Sequence, residues 1–356
     1  LQAQLTEILY DARDPSTRRI VIDRGARDKV ELGLPVIDLD SGMSRRVSLS
    51  PAGWRSAALR PEGLSGRGML ALLRLALPGP DRTVAEALGP HRALLRGFVD
   101  PLTVAALNTP ATAASSRVLS AVLRRIALPG STRLLVARRG LGPDMVEPAV
   151  AALRRGGVPL HRARLRAIVA VDGRATALRF TESEVALAPG DAVVLATPPW
   201  ESARLIPGLP VPTEHAPILN LHFARHFEAP LRFVGVLGGL CQWVLVRPDT
   251  VAVTVSAADA EAREATEDLA PRAWAEIRAL AAGFDLPGEW PEVSPPCRAV
   301  KEKRATPRHR PGDPAPPPVL VLPNLALAGD WMEPVLPATI DAAVRSGRRA
   351  VRALAG

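Results

Sequence analysis

Asp330 has the setting that says most about chemistry. It closes the apolar run Leu325-Ala326-Leu327-Ala328-Gly329, which reads as a short buried parallel strand delivering one carboxylate at its C-terminal end. Trp331 stands beside it, and Pro337, a residue suited to the first turn of a helix, comes after a short loop. Ala338, Ala342, Ala343, Ser346 and Gly347 leave little side chain to hold a ligand away. A helix start also offers backbone N–H groups and a partial positive charge. Together these make a cofactor-sized site; the plain alternative is a strand–helix unit with a capping Asp. A second candidate is His222. It alternates with Leu221 and Phe223 in the strand-like run Pro217–Phe223, so it could present a proton donor to a cavity or serve as a satisfied structural histidine. Cys241 and Cys297 stand far apart and show no metal-ligand spacing, so no metal is expected.

The elements that position these residues belong to a chain of 356 residues, long enough for a real core. The net charge is +9, from 45 Lys+Arg against 36 Asp+Glu, and nearly all of the positive charge is arginine. The arginines are scattered among acids and alanines, and aromatic residues make up 4%. That pattern argues against a nucleic-acid binder and for a solvated surface, with attraction to anionic lipid headgroups as the second reading. No apolar run is long enough to span a bilayer. A cytoplasmic protein is expected, with peripheral contact at the inner membrane as the accessory reading. Leu1 is no native start, which reads as a truncated N-terminus, and nothing in the sequence sets the oligomeric state.

In chain order, residues 1–40 form an atypical β-rich head. Ile8-Leu9-Tyr10 and Arg19–Ile22 read as strands around a turn at Asp14-Pro15-Ser16, and Gly25, Gly33 and Pro35 punctuate a second pair of short strands. Residues 41–130 are helical by period: Gly68–Leu77, Thr83–Leu88, Ala93–Leu107 and Ser115–Ala127. Residues 131–200 hold the helix Asp144–Arg155, strands Leu165–Val171, Ala175–Phe180 and Val185–Leu187 with a turn at Asp172-Gly173, and a buried strand ending at Thr197-Pro198-Pro199. Residues 201–300 carry the alternating strands Val234–Gly239, Gln242–Arg247 and Val251–Ala257, then a surface helix Leu269–Ala282. Residues 301–356 contain a proline-rich loop, Pro311–Pro318, and the Asp330 unit.

The run Asn324–Arg349 resembles the last strand and helix of the FAD-dependent amine-oxidase and phytoene-desaturase superfamily, and within it most closely the bacterial hydroxysqualene dehydroxylases. Further phrases carry the likeness: Asp100-Pro101, Ala106-Leu107-Asn108-Thr109-Pro110, Asn220-Leu221-His222-Phe223, Gln242-Trp243 and Lys301–Thr306. The resemblance implies an α/β (α+β) fold of the FAD/NAD(P)-binding amine-oxidase type, with a truncated Rossmann-type sheet plus a helical and antiparallel-sheet substrate domain. It implies FAD as cofactor and a squalene-type isoprenoid hydrocarbon as substrate, with hydroxysqualene reductively dehydroxylated to squalene for hopanoid synthesis. It places Gly329, Asp330, Trp331, Pro337, Ala338, Thr339 and Ile340 at the flavin, Leu165 beside adenine, Thr197 and Pro198 at the cofactor edge, and His222, Gln242 and Trp243 toward the substrate. The sequence departs from the family at Met332, Val335 and Ala342, where Thr, Gly and Gly are expected. It also contains no Gly-x-Gly-x-x-Gly phosphate loop.

The head admits two readings. In one, Leu9–Ala12 is a worn second strand of the flavoprotein, with Asp11 as its ribose-binding acid. In the other, Leu9–Pro15, Ile22–Asp28 and Gly33–Asp38 resemble the β-domain of rod-shape-determining proteins. The functional alternative is accordingly a non-catalytic, truncated or fused flavoprotein remnant whose head is a cell-shape interaction segment.

Overall fold

A computed structural model describes residues 8–9, 21–22, 34–128, 136–137, 139–224, 231–283, 286 and 288–356. Asp11, the turn at Asp14-Pro15-Ser16, Gly25 and Gly33 lie outside the described residues. β1 (Ile8–Leu9) and β2 (Val21–Ile22) form an antiparallel pair. β3 (Leu34–Asp38) and β4 (Met43–Val47) form a hairpin.

The helical region comes next. α1 (Gly66–Ala76) starts where the Ser65 hydroxyl accepts the Gly68 N–H at 3.1 Å, and α2 (Val84–Leu88) where Thr83 and Glu86 exchange capping bonds. α3 (Arg92–Leu94) passes through a π turn, Leu95–Val99, into α4 (Asp100–Leu107). Pro101, which has no N–H, sits where the helical ladder loosens. α4 stops at Asn108, whose φ of 49° is left-handed. α5 (Ser116–Ile126) completes the region, and α6 (Glu147–Arg155) continues from a second π turn.

β5 (Leu165–Val171) and β6 (Arg174–Phe180) turn through Asp172 and Gly173, both at positive φ, which is the geometry their types allow. β7 (Glu184–Ala186), β8 (Val193–Leu195) and α7 (Pro199–Leu205) come after them. The remaining elements are β9 (His215–Ala224), β10 (Arg232–Leu237), β11 (Trp243–Val246), β12 (Thr250–Ser256), α8 (Thr266–Gly283), β13 (Cys297–Pro307), β14 (Leu320–Leu322), β15 (Leu325–Leu327) and α9 (Ile340–Leu354).

Among the described residues, one seven-stranded sheet runs β13-β9-β12-β11-β10-β3-β4, antiparallel except where β3 joins β10. Strict alternation gives it two faces. Leu219, Leu221, Phe223, Val251, Val253 and Val255 pack on α8, while Asn220, His222, Phe233, Trp243 and Thr254 face the other way. α8 is therefore not the surface helix expected: Leu269, Ala273, Trp274, Ile277 and Leu280 form a helical stripe buried against the sheet. The expectation that the helix after the Asp330 loop begins at Pro337 is also corrected. The helix begins at Ile340, with Thr339 as its N-cap, and Pro337 lies before the cap. β13 has no counterpart among the expected strands. It is an edge strand carrying Lys301, Glu302, Lys303 and Arg304, and charge of this kind hides a strand from a hydrophobic pattern.

β3 shows how the head joins the body. Leu34–Asp38, the end of the head, pairs with β10 inside the large sheet. Its Val36 packs with Leu72, Leu94, Phe98 and Leu119 of the helical region. Two smaller sheets stand apart from it among the described residues: β14-β15-β8, with β15 and β8 parallel, and the meander β5-β6-β7.

Candidate active site

β8 and β15 run parallel in the register Leu325↔Val193, Ala326↔Val194 and Leu327↔Leu195, and Ala328 extends the pairing by donating to the Leu195 carbonyl at 3.0 Å. Their C-terminal ends therefore lie side by side, the position at which open parallel sheets bind ligands. β8 leads to Thr197-Pro198 and β15 to Gly329-Asp330. The two ends are tied together, since Trp331 Nε1 donates to the Thr197 carbonyl at 3.1 Å. Gly329 has a φ of 152°, and a Cβ on it would stand 2.6 Å from the Trp331 indole nitrogen. That crowding makes glycine the fitting residue there. Its N–H donates to Ser346 Oγ at 3.1 Å, which brings α9 against the strand end.

Asp330 is half-buried, and burial raises its carboxyl above the ordinary range although its Oδ1 accepts the Trp331 N–H at 2.9 Å. His215 is the group whose charge would favour its ionised form. His215 lies edge-on to Trp200 at 5.1 Å, and its Nε2 is buried without a protein partner among the described residues. Burial lowers its pKa, and Arg304, stacked over Trp200 at 5.1 Å, adds to the lowering. A carboxyl without an ion-pair partner and an imidazole nitrogen without an acceptor or donor thus share one corner among the described residues. No sequence argument singled out His215; its signal was its place at the first residue of an alternating strand.

The helix start is less free than expected. Thr339 Oγ1 accepts the Ala342 N–H at 3.2 Å, and His309 Nε2 accepts the Ala338 N–H at 3.1 Å. Burial depresses the His309 pKa to about 4, which keeps this imidazole a neutral acceptor. The N–H groups of Ile340 and Asp341 have no protein acceptor among the described residues. Ala342, one of the departures, is fully buried, whereas Val335 is exposed. Leu165 and Trp331 meet in one apolar cluster with Leu195, Leu325 and Leu327, and the Leu165 carbonyl accepts from Arg204 at 2.8 Å. Pro198 is the residue before α7 and caps it without a side-chain bond.

The structure does not bring His222 to this corner. It lies seven residues from His215 on the same strand, about 23 Å at the usual rise. Burial, Arg247 and Arg298 lower its pKa.

A cavity of about 840 Å³ lies between the α3–α4 segment and the sheet face of β3, β10 and β11. Leu95, Phe98, Leu102, Val104, Phe233 and Trp243 give it an apolar wall, and the two rings of Phe233 and Trp243 stack at 5.3 Å with parallel planes. Several of its polar side chains are engaged elsewhere. Gln242 exchanges two bonds with the Ser256 backbone, Thr254 donates to Asn220 Oδ1 at 2.8 Å, and Asp100 accepts the Ala111 N–H at 2.7 Å. Arg96 is shared between Asp38 and Asp40. Gln242 and Trp243 line this space as the sequence suggested, whereas Asp330 and His222 do not.

The sequence pattern of flavin-containing amine oxidoreductases matches residues 81–355. The chain belongs to the flavin-containing amine oxidoreductase family. Hydroxysqualene dehydroxylase of Sinorhizobium fredii is 37% identical over 289 residues, covering 79% of this chain and 67% of that protein. Hydroxysqualene dehydroxylase of Zymomonas mobilis subsp. mobilis is 31% identical over 344 residues, covering 94% and 81%. Among solved structures, an oxidoreductase from Methanosarcina mazei shares the fold, with a TM-score of 0.61 at 12% identity over 91% of this chain and 83% of that one. The groups at the Asp330 corner are of the kind that a flavin's hydroxyls and polar edge would engage. Among the described residues it offers a carboxyl with no ion-pair partner, a buried imidazole nitrogen with none of its own, and a glycine where the backbone turns. The fit covers the C-terminal half of the site, since the sequence has no Gly-x-Gly-x-x-Gly loop for the pyrophosphate.

Proposed function

We propose that this chain is an FAD-dependent oxidoreductase that removes the hydroxyl from a long isoprenoid alcohol of the hydroxysqualene type. The carrying observation is the largely apolar cavity, in which Gln242, Thr254 and Asp100 are engaged by the protein and whose volume is that of a ligand site. Similarity along most of the chain to two hydroxysqualene dehydroxylases supports the same substrate class, and disfavours a non-catalytic remnant.

When bound and reduced, FAD supplies hydride. The chain's own residues do the rest. Asp330 would hold a hydroxyl of the cofactor chain, and the N–H groups of Ile340 and Asp341 would be donors to it. Thr197 and Trp331 fix that corner, Leu165 backs it, and Gly329, Pro337, Ala338 and Thr339 keep the approach narrow-sided. The cavity wall excludes water, and the stacked faces of Phe233 and Trp243 favour positive charge as the C–O bond lengthens. His222, the proton donor suggested by the sequence, lines neither this cavity nor the Asp330 corner, and burial with Arg247 and Arg298 disfavours its protonated form, so it is given no part.

The test is direct. Protein incubated with FAD and freed of excess should absorb near about 450 nm and, once reduced, convert hydroxysqualene to squalene. Protein that stays colourless and forms no squalene would sink the assignment.

A further inference from the structure

We propose that α1 and the adjoining end of α5 form a docking surface for a bilayer carrying anionic lipid. α1 is apolar on two sides. Gly68, Ala71, Leu72 and Leu75 face the core, while Leu70, Leu73 and Leu77 are 48%, 57% and 63% exposed. Such exposure of three leucines at helical spacing is a contact surface in need of an apolar neighbour. Arg67 and Arg74 fall on the same outer face, at spacings of three and four from Leu70 and Leu77. Long arginine stems at the edges of a leucine stripe reach headgroups while the leucines enter the acyl boundary.

α5 extends the patch. Arg124 Nη1 donates to the Ala76 carbonyl at 2.9 Å, so the end of α5 abuts the end of α1. Leu128, just beyond it, is 61% exposed. Of the five arginines on α1 and α5, Arg117 pairs with Asp81 and Arg125 with Asp341, so the outward charge of the patch rests on Arg67 and Arg74 of α1, a helix that carries no carboxylate. That charge decides the partner. The exposed apolar side chains on the other helices, Leu153 of α6 and Ile340, Val344 and Val351 of α9, share those helices with Glu147 and Asp341. A second copy of the same arginine-bearing face would meet like charge; an anionic headgroup layer would not.

The position also suits a hydrocarbon substrate. The turn into α1 lies against the segment that walls the cavity: Gly63 sits tight on Ala93 and Leu94, and Gly97 on Glu62. Arg92, Leu95, Arg96, Gly97 and Phe98 line that cavity. A docked α1 would set the cavity wall beside the lipid. Among the described residues no helix is long and apolar enough to cross a membrane, so the contact is with the surface.

Co-sedimentation with phosphatidylcholine vesicles, with and without phosphatidylglycerol, tests this with the full chain. The protein should partition onto phosphatidylglycerol-containing vesicles and weakly onto phosphatidylcholine. Leu73→Ser and Leu77→Ser should each weaken partitioning about tenfold. Arg67→Gln and Arg74→Gln should each weaken it about fivefold on the anionic vesicles alone. These side chains are exposed, so melting curves should match the parent and separate lost docking from lost folding. No partitioning onto anionic vesicles, or partitioning untouched by the leucine changes, overturns the proposal. So does a dimer on gel filtration that Leu73→Ser dissolves without any vesicle binding. Vesicle binding needs no turnover, so a chain that docks yet makes no squalene would count against the proposed reaction and leave this surface standing.

Discussion

Asp330 is held at a strand end by its own turn and receives no guanidinium or ammonium within hydrogen-bond distance among the described residues. A hydroxyl donor from a cofactor chain would satisfy it, and a hydrogen bond to a charged group is worth about 1.5–3 kcal/mol. Asp330→Ala is therefore expected to weaken FAD binding at least about tenfold in a titration of flavin fluorescence; unchanged affinity would mean that the flavin sits elsewhere. His309 supports the same corner by another route. Its folded pKa of about 4 lies below its ordinary 6.5, so the unfolded chain binds the proton first as pH falls. The stabilisation is complete above about pH 6.5 and is lost as pH drops toward 4, by on the order of 3 kcal/mol. Urea unfolding across that window should show the slope, and His309→Gln should flatten it while keeping an acceptor for Ala338.

At the scale of elements, Asn108 joins three parts of the molecule. Its amide donates to the Ala216 carbonyl at 3.1 Å and to Thr306 Oγ1 at 3.0 Å, and its oxygen accepts the Ala257 N–H at 2.6 Å. It thereby pins the end of α4 to β9, β13 and the residue after β12. Asn108→Leu would strand these buried groups and place a branched side chain at positive φ. A loss of about 3–5 kcal/mol in urea unfolding is expected; a loss below about 1 kcal/mol would mean the groups find water. The phrase around Asn108 was visible in the sequence as a family signature, but its function as a three-way staple was not. Its partners lie more than a hundred residues away, and no local pattern encodes them.

At the scale of the whole molecule, the seven-stranded sheet divides the structure's work. One face packs α8 and supplies core; the other floors the cavity. Val104→Trp should fill part of that cavity and weaken binding of a squalene-length hydrocarbon by about tenfold or more, with the flavin spectrum unchanged. Equal loss of flavin would show that the cavity and the cofactor corner are one space.

The amino-acid order alone determined the strand–carboxylate–helix unit at Asp330, the alternating strands around His222 and Trp243, and the helical run that walls the cavity. Each rests on short-range periodicity or on a turn residue, which a linear reading can see. Tertiary structure alone decided that His215, and not His222, stands by Asp330, that His309 occupies one helix N–H, that α8 is buried, and that Leu34–Asp38 enters the large sheet. These outcomes depend on which distant strands pair and in what register, a choice made by the burial of whole faces and invisible in any local window.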